Sequence, residues 1–161
     1  MRLSLSIAAL ILLTGTAHAQ DWKKSIKDAA KVQAQSKLES SLGLAKPAPA
    51  GAAVYFINLK DGDTVTSPVL VQFGLKNAGV APAGTQGDTT GHHHLMIDDP
   101  QVDMTVALPM TDQVKHFGGG QTETTLTLKP GRHTLQLLFA DWKHQSFNPA
   151  VVSSKITIMV K

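Results

Sequence analysis

Thr122-Glu123-Thr124-Thr125-Leu126-Thr127-Leu128 is followed by Lys129-Pro130-Gly131-Arg132 and then by His133-Thr134-Leu135-Gln136-Leu137-Leu138-Phe139. Both outer runs are written in period two. Thr122, Thr124, Leu126 and Leu128 alternate with Glu123, Thr125 and Thr127. In the second run His133, Leu135, Leu137 and Phe139 share a face. A strand puts successive side chains on opposite faces, so this spacing predicts strands and not helices. Between the runs, Pro and Gly occupy adjacent central positions, which suits a tight type II turn. Working outward, the same pattern recurs. Val54 to Leu59 is an apolar run stopped by Lys60-Asp61-Gly62-Asp63, and Val69, Val71, Phe73 and Leu75 alternate after Ser67-Pro68. Gly91 to Ile97 is extended and closed by Asp98-Asp99-Pro100, while Lys155 to Val160 alternates at the end of the chain. That makes six strands, or seven if Met104 to Leu108 is also extended. No helical pattern separates them. An all-β fold is expected over residues 53–161, an antiparallel immunoglobulin-like β-sandwich, with a small barrel as the second choice.

Ahead of this lie three segments of other character. Residues 1–19 have the layout of a signal peptide: Arg2, an apolar run from Leu3 to Leu13, and Ala17-His18-Ala19 before a cut at Gln20. The run is about eleven residues long, short of the roughly 20 that a membrane span needs. No transmembrane segment is therefore expected after cleavage, and the mature chain is expected to be periplasmic or secreted. Residues 20–44 read as a helix capped by Asp21 and free of Pro. Its stripe of Trp22, Ile26, Ala30, Ala34, Leu38 and Leu42 drifts around the axis, because a spacing of four does not match 3.6 residues per turn. Five lysines on it leave two readings, a solvated spacer or a basic helix lying on an anionic envelope surface. Residues 45–52, with Pro47 and Pro49 among small residues, read as a semi-rigid linker.

Composition excludes several functions. The chain has no Cys, so disulfides, thiolate nucleophiles and thiolate metal ligands are all ruled out. Net charge is only +3, and Arg occurs at positions 2 and 132 alone. With no arginine-rich patch interleaved with aromatics, no nucleic-acid partner is expected.

Gly91-His92-His93-His94-Leu95-Met96-Ile97-Asp98 holds three of the seven histidines. On a strand, His92, His94 and Met96 face one way, and His93, Leu95 and Ile97 the other. His93 is thereby in phase with core-facing aliphatics, as is His133, and both are assigned to the core or its margin. His92 and His94 have Cβ atoms roughly 6–7 Å apart, close enough for two imidazoles to reach one ion.

Four segments together resemble one known family. They are Val54 to Asp63, Gly91 to Asp98, His116-Phe117-Gly118-Gly119-Gly120-Gln121-Thr122-Glu123, and Pro130 to Leu138. They are similar to the DUF4399 family of exported bacterial domains, over about residues 53–161. The resemblance implies no established function. Members often carry Asp-x-x-His-x-x-His after the Leu-Gln-Leu-Leu strand. Here Asp141 and His144 match, and Phe147 stands where the second His would be, which removes any ligand role at that position.

Three functions compete. The first is binding of a transition-metal ion, copper or zinc, by His92, His94, His116 and His144, with Met96 as a soft contact and Asp141 as ligand or as acceptor behind an imidazole. The second is a recognition module without metal, in which Gly118-Gly119-Gly120, Trp142 and Phe147 join the histidines to bind a glycan, peptide or other envelope component. The third is an enzyme, which the sequence supports least. Gly-x-Ser-x-Gly is absent, and no pair of carboxylates stands at a known acid/base spacing.

Overall fold

The structure, a computed structural model, describes residues 21–31, 34, 38 and 42–161. The expected leader over residues 1–19 lies outside the described residues. Residues 21–31 are helical, and Trp22 and Ile26 of the apolar stripe are exposed. No helix among the described residues is long and apolar enough to cross a membrane. The chain divides into two compact units, residues 1–42 and 43–161. The Pro/Ala segment falls in the second unit and is fastened there: the Ala48 amide donates to the Asn148 carbonyl at 3.1 Å and the Asn148 amide to the Lys46 carbonyl at 2.7 Å.

The second unit is mostly strand. Its elements are β1 (Ala53–Phe56), β2 (Thr64–Val65), β3 (Val69–Lys76), β4 (Gly79–Val80), β5 (Thr90–Ile97), β6 (Val114–His116), β7 (Glu123–Leu126), β8 (Gly131–Ala140), β9 (Ser146–Val152) and β10 (Ile156–Val160). One sheet has the order β1-β3-β7. The other runs β2-β10-β8-β5-β4, with β6 also on β5 and β9 also on β8. Both sheets are open, so the barrel alternative is set aside. Pairing is mixed rather than wholly antiparallel, since β2 joins β10 and β4 joins β5 in parallel. The alternating faces meet across one apolar core, in which Val71 and Phe73 of β3 lie with Leu95 of β5, Leu135, Leu137 and Phe139 of β8 and Ile158 of β10.

Several expectations need correction. The tight turn expected at Lys129 to Arg132 is not a hydrogen-bonded turn: Pro130 is a bend, and Gly131 already opens β8. β7 pairs with β3 in one sheet and β8 with β5 and β10 in the other, so this connection crosses between the sheets. Met104 to Leu108 is not a strand. Residues 104–106 are turn and bend, and Ala107 makes a single bridge to Gln145. Leu108 instead packs with Met96, Leu138 and Ala140, and Val102 and Met104 lie against them. This covers the outer face of the second sheet and explains why β5 is buried on both faces. β2, β4, β6 and β9 carry too little alternation to be read from sequence. β9 contains Pro149, which donates no ladder bond, and its pairing with β8 shifts register there.

Candidate metal centre

β5 ends where Asp98 and Asp99 turn left-handed, with φ of 58° and 59°. Aspartate tolerates this region better than most residues. The register of β5 is as the alternation predicted. His93 joins the core face, its ring 5.3 Å from that of Phe73 and 5.4 Å from that of Phe139, centre to centre. His92 and His94 point to the opposite face, both completely buried. Their Nε2 atoms stand 3.0 Å apart.

Two further rings come to meet them by different routes. His116 is the residue of β6 directly opposite His94 in the ladder. His144 comes from the connection between β8 and β9, where it adopts a left-handed φ of 67°. Its Nε2 lies 3.1 Å from Nε2 of His116. Both rings are half-buried and stand 5.0 Å, centre to centre, from the buried His92 ring. Ligands held at ~2.0–2.1 Å from one ion sit roughly 2.9–3.4 Å from one another, so both Nε2 pairs have ligand spacing. Among the described residues His92, His94 and His116 form a group whose ligand atoms all lie within 4.8 Å of one another and could hold a metal ion.

The buried pair His92 and His94 is neutral at ordinary pH. Burial pushes His92 down to about 4, with the neighbouring His116, His144 and His93 rings adding to the effect. His94 falls to about 3, again first through burial and then through the rings around it. His116 is lowered by burial and by His144. A neutral imidazole keeps a lone pair for a metal. Nδ1 of His92 and of His94 is buried with no hydrogen-bond partner. These rings are therefore held by packing and by each other, not by the carboxylate that commonly backs a ligating imidazole.

The other expected site residues are placed differently. Met96 continues the face of His92 and His94, but its side chain packs in the apolar cluster with Leu108, Leu138 and Ala140. Asp141 is buried, and its Oδ1 accepts from the amides of Lys143 and Gln145 at 2.8 and 2.9 Å. It builds the turn that carries His144. His133 lies at the margin of the core, bonded to the Asp98 carboxylate through Nδ1 at 2.9 Å and to the Lys129 carbonyl through Nε2 at 2.9 Å. Burial pulls its pKa down, but the two acceptors outweigh that and leave it raised.

Gly118, expected only in a recognition surface, lies against the cluster. A Cβ at Gly118 would stand 2.2 Å from Cε1 and 2.5 Å from Nε2 of His116. The glycine run is visible in the sequence, but which of its three residues faces the His116 ring is not.

The family described as Domain of unknown function (DUF4399) matches residues 71–161. No curated protein and no solved structure matches the chain.

Proposed function

Since the chain belongs to the DUF4399 family, whose description assigns no function, we propose from its own residues that it is an exported protein that binds a transition-metal ion, copper or zinc. One observation carries the reading: His92, His94 and His116 present ligand atoms within 4.8 Å of one another. All three donors of that group are imidazoles, a set that suits copper and zinc alike. Export rests on the leader-like residues 1–19. The architecture that best accommodates two open sheets over one core is an immunoglobulin-like sandwich.

The competing reading, recognition of an envelope component through the glycine run, has less support. Gly118 faces His116, and the Gly119 amide donates to the Gln121 side chain at 2.9 Å. The run is thus engaged with its own neighbours. The test is titration of the chelator-stripped protein with Cu(II) and Zn(II). We expect stoichiometric binding that disappears when His92→Ala and His94→Ala are combined. Binding that is weak in the parent and unchanged in the double variant sinks the proposal.

A further inference from the structure

We infer that the centre is a closed tetrahedral zinc site with four imidazole ligands, in which His144 completes the set begun by His92, His94 and His116. This rests on the metal-binding reading above. It adds the fourth ligand, the coordination geometry and the ion.

The six distances between the four ring centres carry the argument. They are 4.9 Å for His92–His94, 5.0 Å for His92–His116, 5.0 Å for His92–His144, 5.2 Å for His94–His116, 4.7 Å for His116–His144 and 6.1 Å for His94–His144. An imidazole bound at ~2.0–2.1 Å places its ring centre roughly 3.2 Å from the ion, so four rings on a tetrahedron stand about 5.2 Å apart along every edge. In a square plane, neighbouring rings would stand about 4.5 Å apart and the two opposite pairs about 6.4 Å. Opposite pairs in a plane share no ring. The one long distance, His94–His144, has His92–His116 as its complement, and that is 5.0 Å. A plane would need both to be long. The four rings therefore outline a tetrahedron stretched along one edge. That stretch accounts for the mutually close trio lacking His144.

Zinc imposes no directional preference of its own and takes four tetrahedral ligands in closed sites. Copper(II) favours a tetragonal arrangement, and the thiolate that would draw copper(I) is absent from the chain. Four protein ligands also leave no open position for a substrate. The ion would tie β5, β6 and the β8–β9 connection together.

Cobalt(II) reports the geometry directly. The chelator-stripped full chain is titrated with Co(II) and its visible spectrum recorded, and Zn(II) is then added. We expect one equivalent of Co(II) with intense tetrahedral bands, bleached by one equivalent of Zn(II). In His144→Ala, with the fold checked by circular dichroism, the bands should weaken to those of a site completed by water. Zinc affinity should fall by about 100-fold, at the upper end of what losing even an outer partner of a ligand costs. Weak octahedral-type bands in the parent overturn the inference whatever the variant does. So does a tetragonal four-nitrogen copper(II) electron paramagnetic resonance signal with no zinc competition, which would leave the metal-binding reading standing. A spectrum unchanged in His144→Ala removes the fourth ligand. If neither Co(II), Zn(II) nor Cu(II) binds, the underlying reading fails as well.

Discussion

Gly118 leaves the space that the His116 ring occupies: a Cβ there would stand 2.2 Å from Cε1 of that ring. The clash is with a side chain and not with backbone, and Gly118 is not held at positive φ. Gly118→Ala should therefore displace the ring at little cost to the fold. Zinc affinity should drop about 10–100-fold, the usual effect of disturbing a ligand's support. Unfolding free energy should fall by about 1 kcal/mol, the low end of the cost of overpacking, because the end of a half-buried ring and not the backbone gives way. Calorimetric zinc titration alongside denaturant melts checks both. Equal affinity in the variant would show that His116 can bind from elsewhere.

His93 is the buried ring that no polar group meets. Neither of its nitrogens has a hydrogen-bond partner, and burial lowers its pKa to about 4. An unfolded chain takes up the proton near 6.5. Between those values the unfolded state binds a proton that the folded state refuses. Stability is then whole above about 6.5 and is lost as pH falls toward 4, on the order of 3 kcal/mol for this ring. His93→Leu removes the titrating group and its unpaired nitrogens while keeping an apolar side chain between Phe73 and Phe139. The variant should match or exceed the parent at pH 7 and lose less on acidification. Tm of the metal-free proteins at pH 7, 5.5 and 4.5 tests this. A parallel loss in both proteins would assign the acid sensitivity elsewhere.

Asp141 holds the His144 turn through Oδ1 and two backbone amides. Asp141→Ala leaves both amides without their acceptor, which costs about 1–3 kcal/mol if they stay dry. Asn keeps an acceptor oxygen, so Asp141→Asn should retain most of the stability and of the metal affinity, while Asp141→Ala loses both. Should the two variants weaken metal binding equally, the negative charge matters and Asp141 acts on the ion, not on the turn. Chemical denaturation with zinc titration of each variant separates these outcomes.

Strand content and register were legible wherever a strand has one apolar and one polar face. Val71 and Phe73, Leu135 and Leu137, and the division of His93 from His92 and His94 all follow from period two. The pairings were not legible. The Pro-Gly pair looks the same whether the next strand joins its neighbour or crosses to the other sheet, because local chemistry favours a change of direction and not a partner. Short edge strands such as β6 carry no pattern, since three residues cannot show a period.

The sequence by itself determined which side chains are on offer as donors and the face they share. With no Cys, only imidazole is left as a strong nitrogen or sulfur ligand, and alternation alone puts His92 and His94 on one side of β5. Tertiary structure alone decided that His116 and His144 come to the same place. His116 arrives through the pairing of β6 with β5, and His144 through a turn built on a buried aspartate. Both depend on contacts between residues far apart in the chain, and no local spacing encodes such distances.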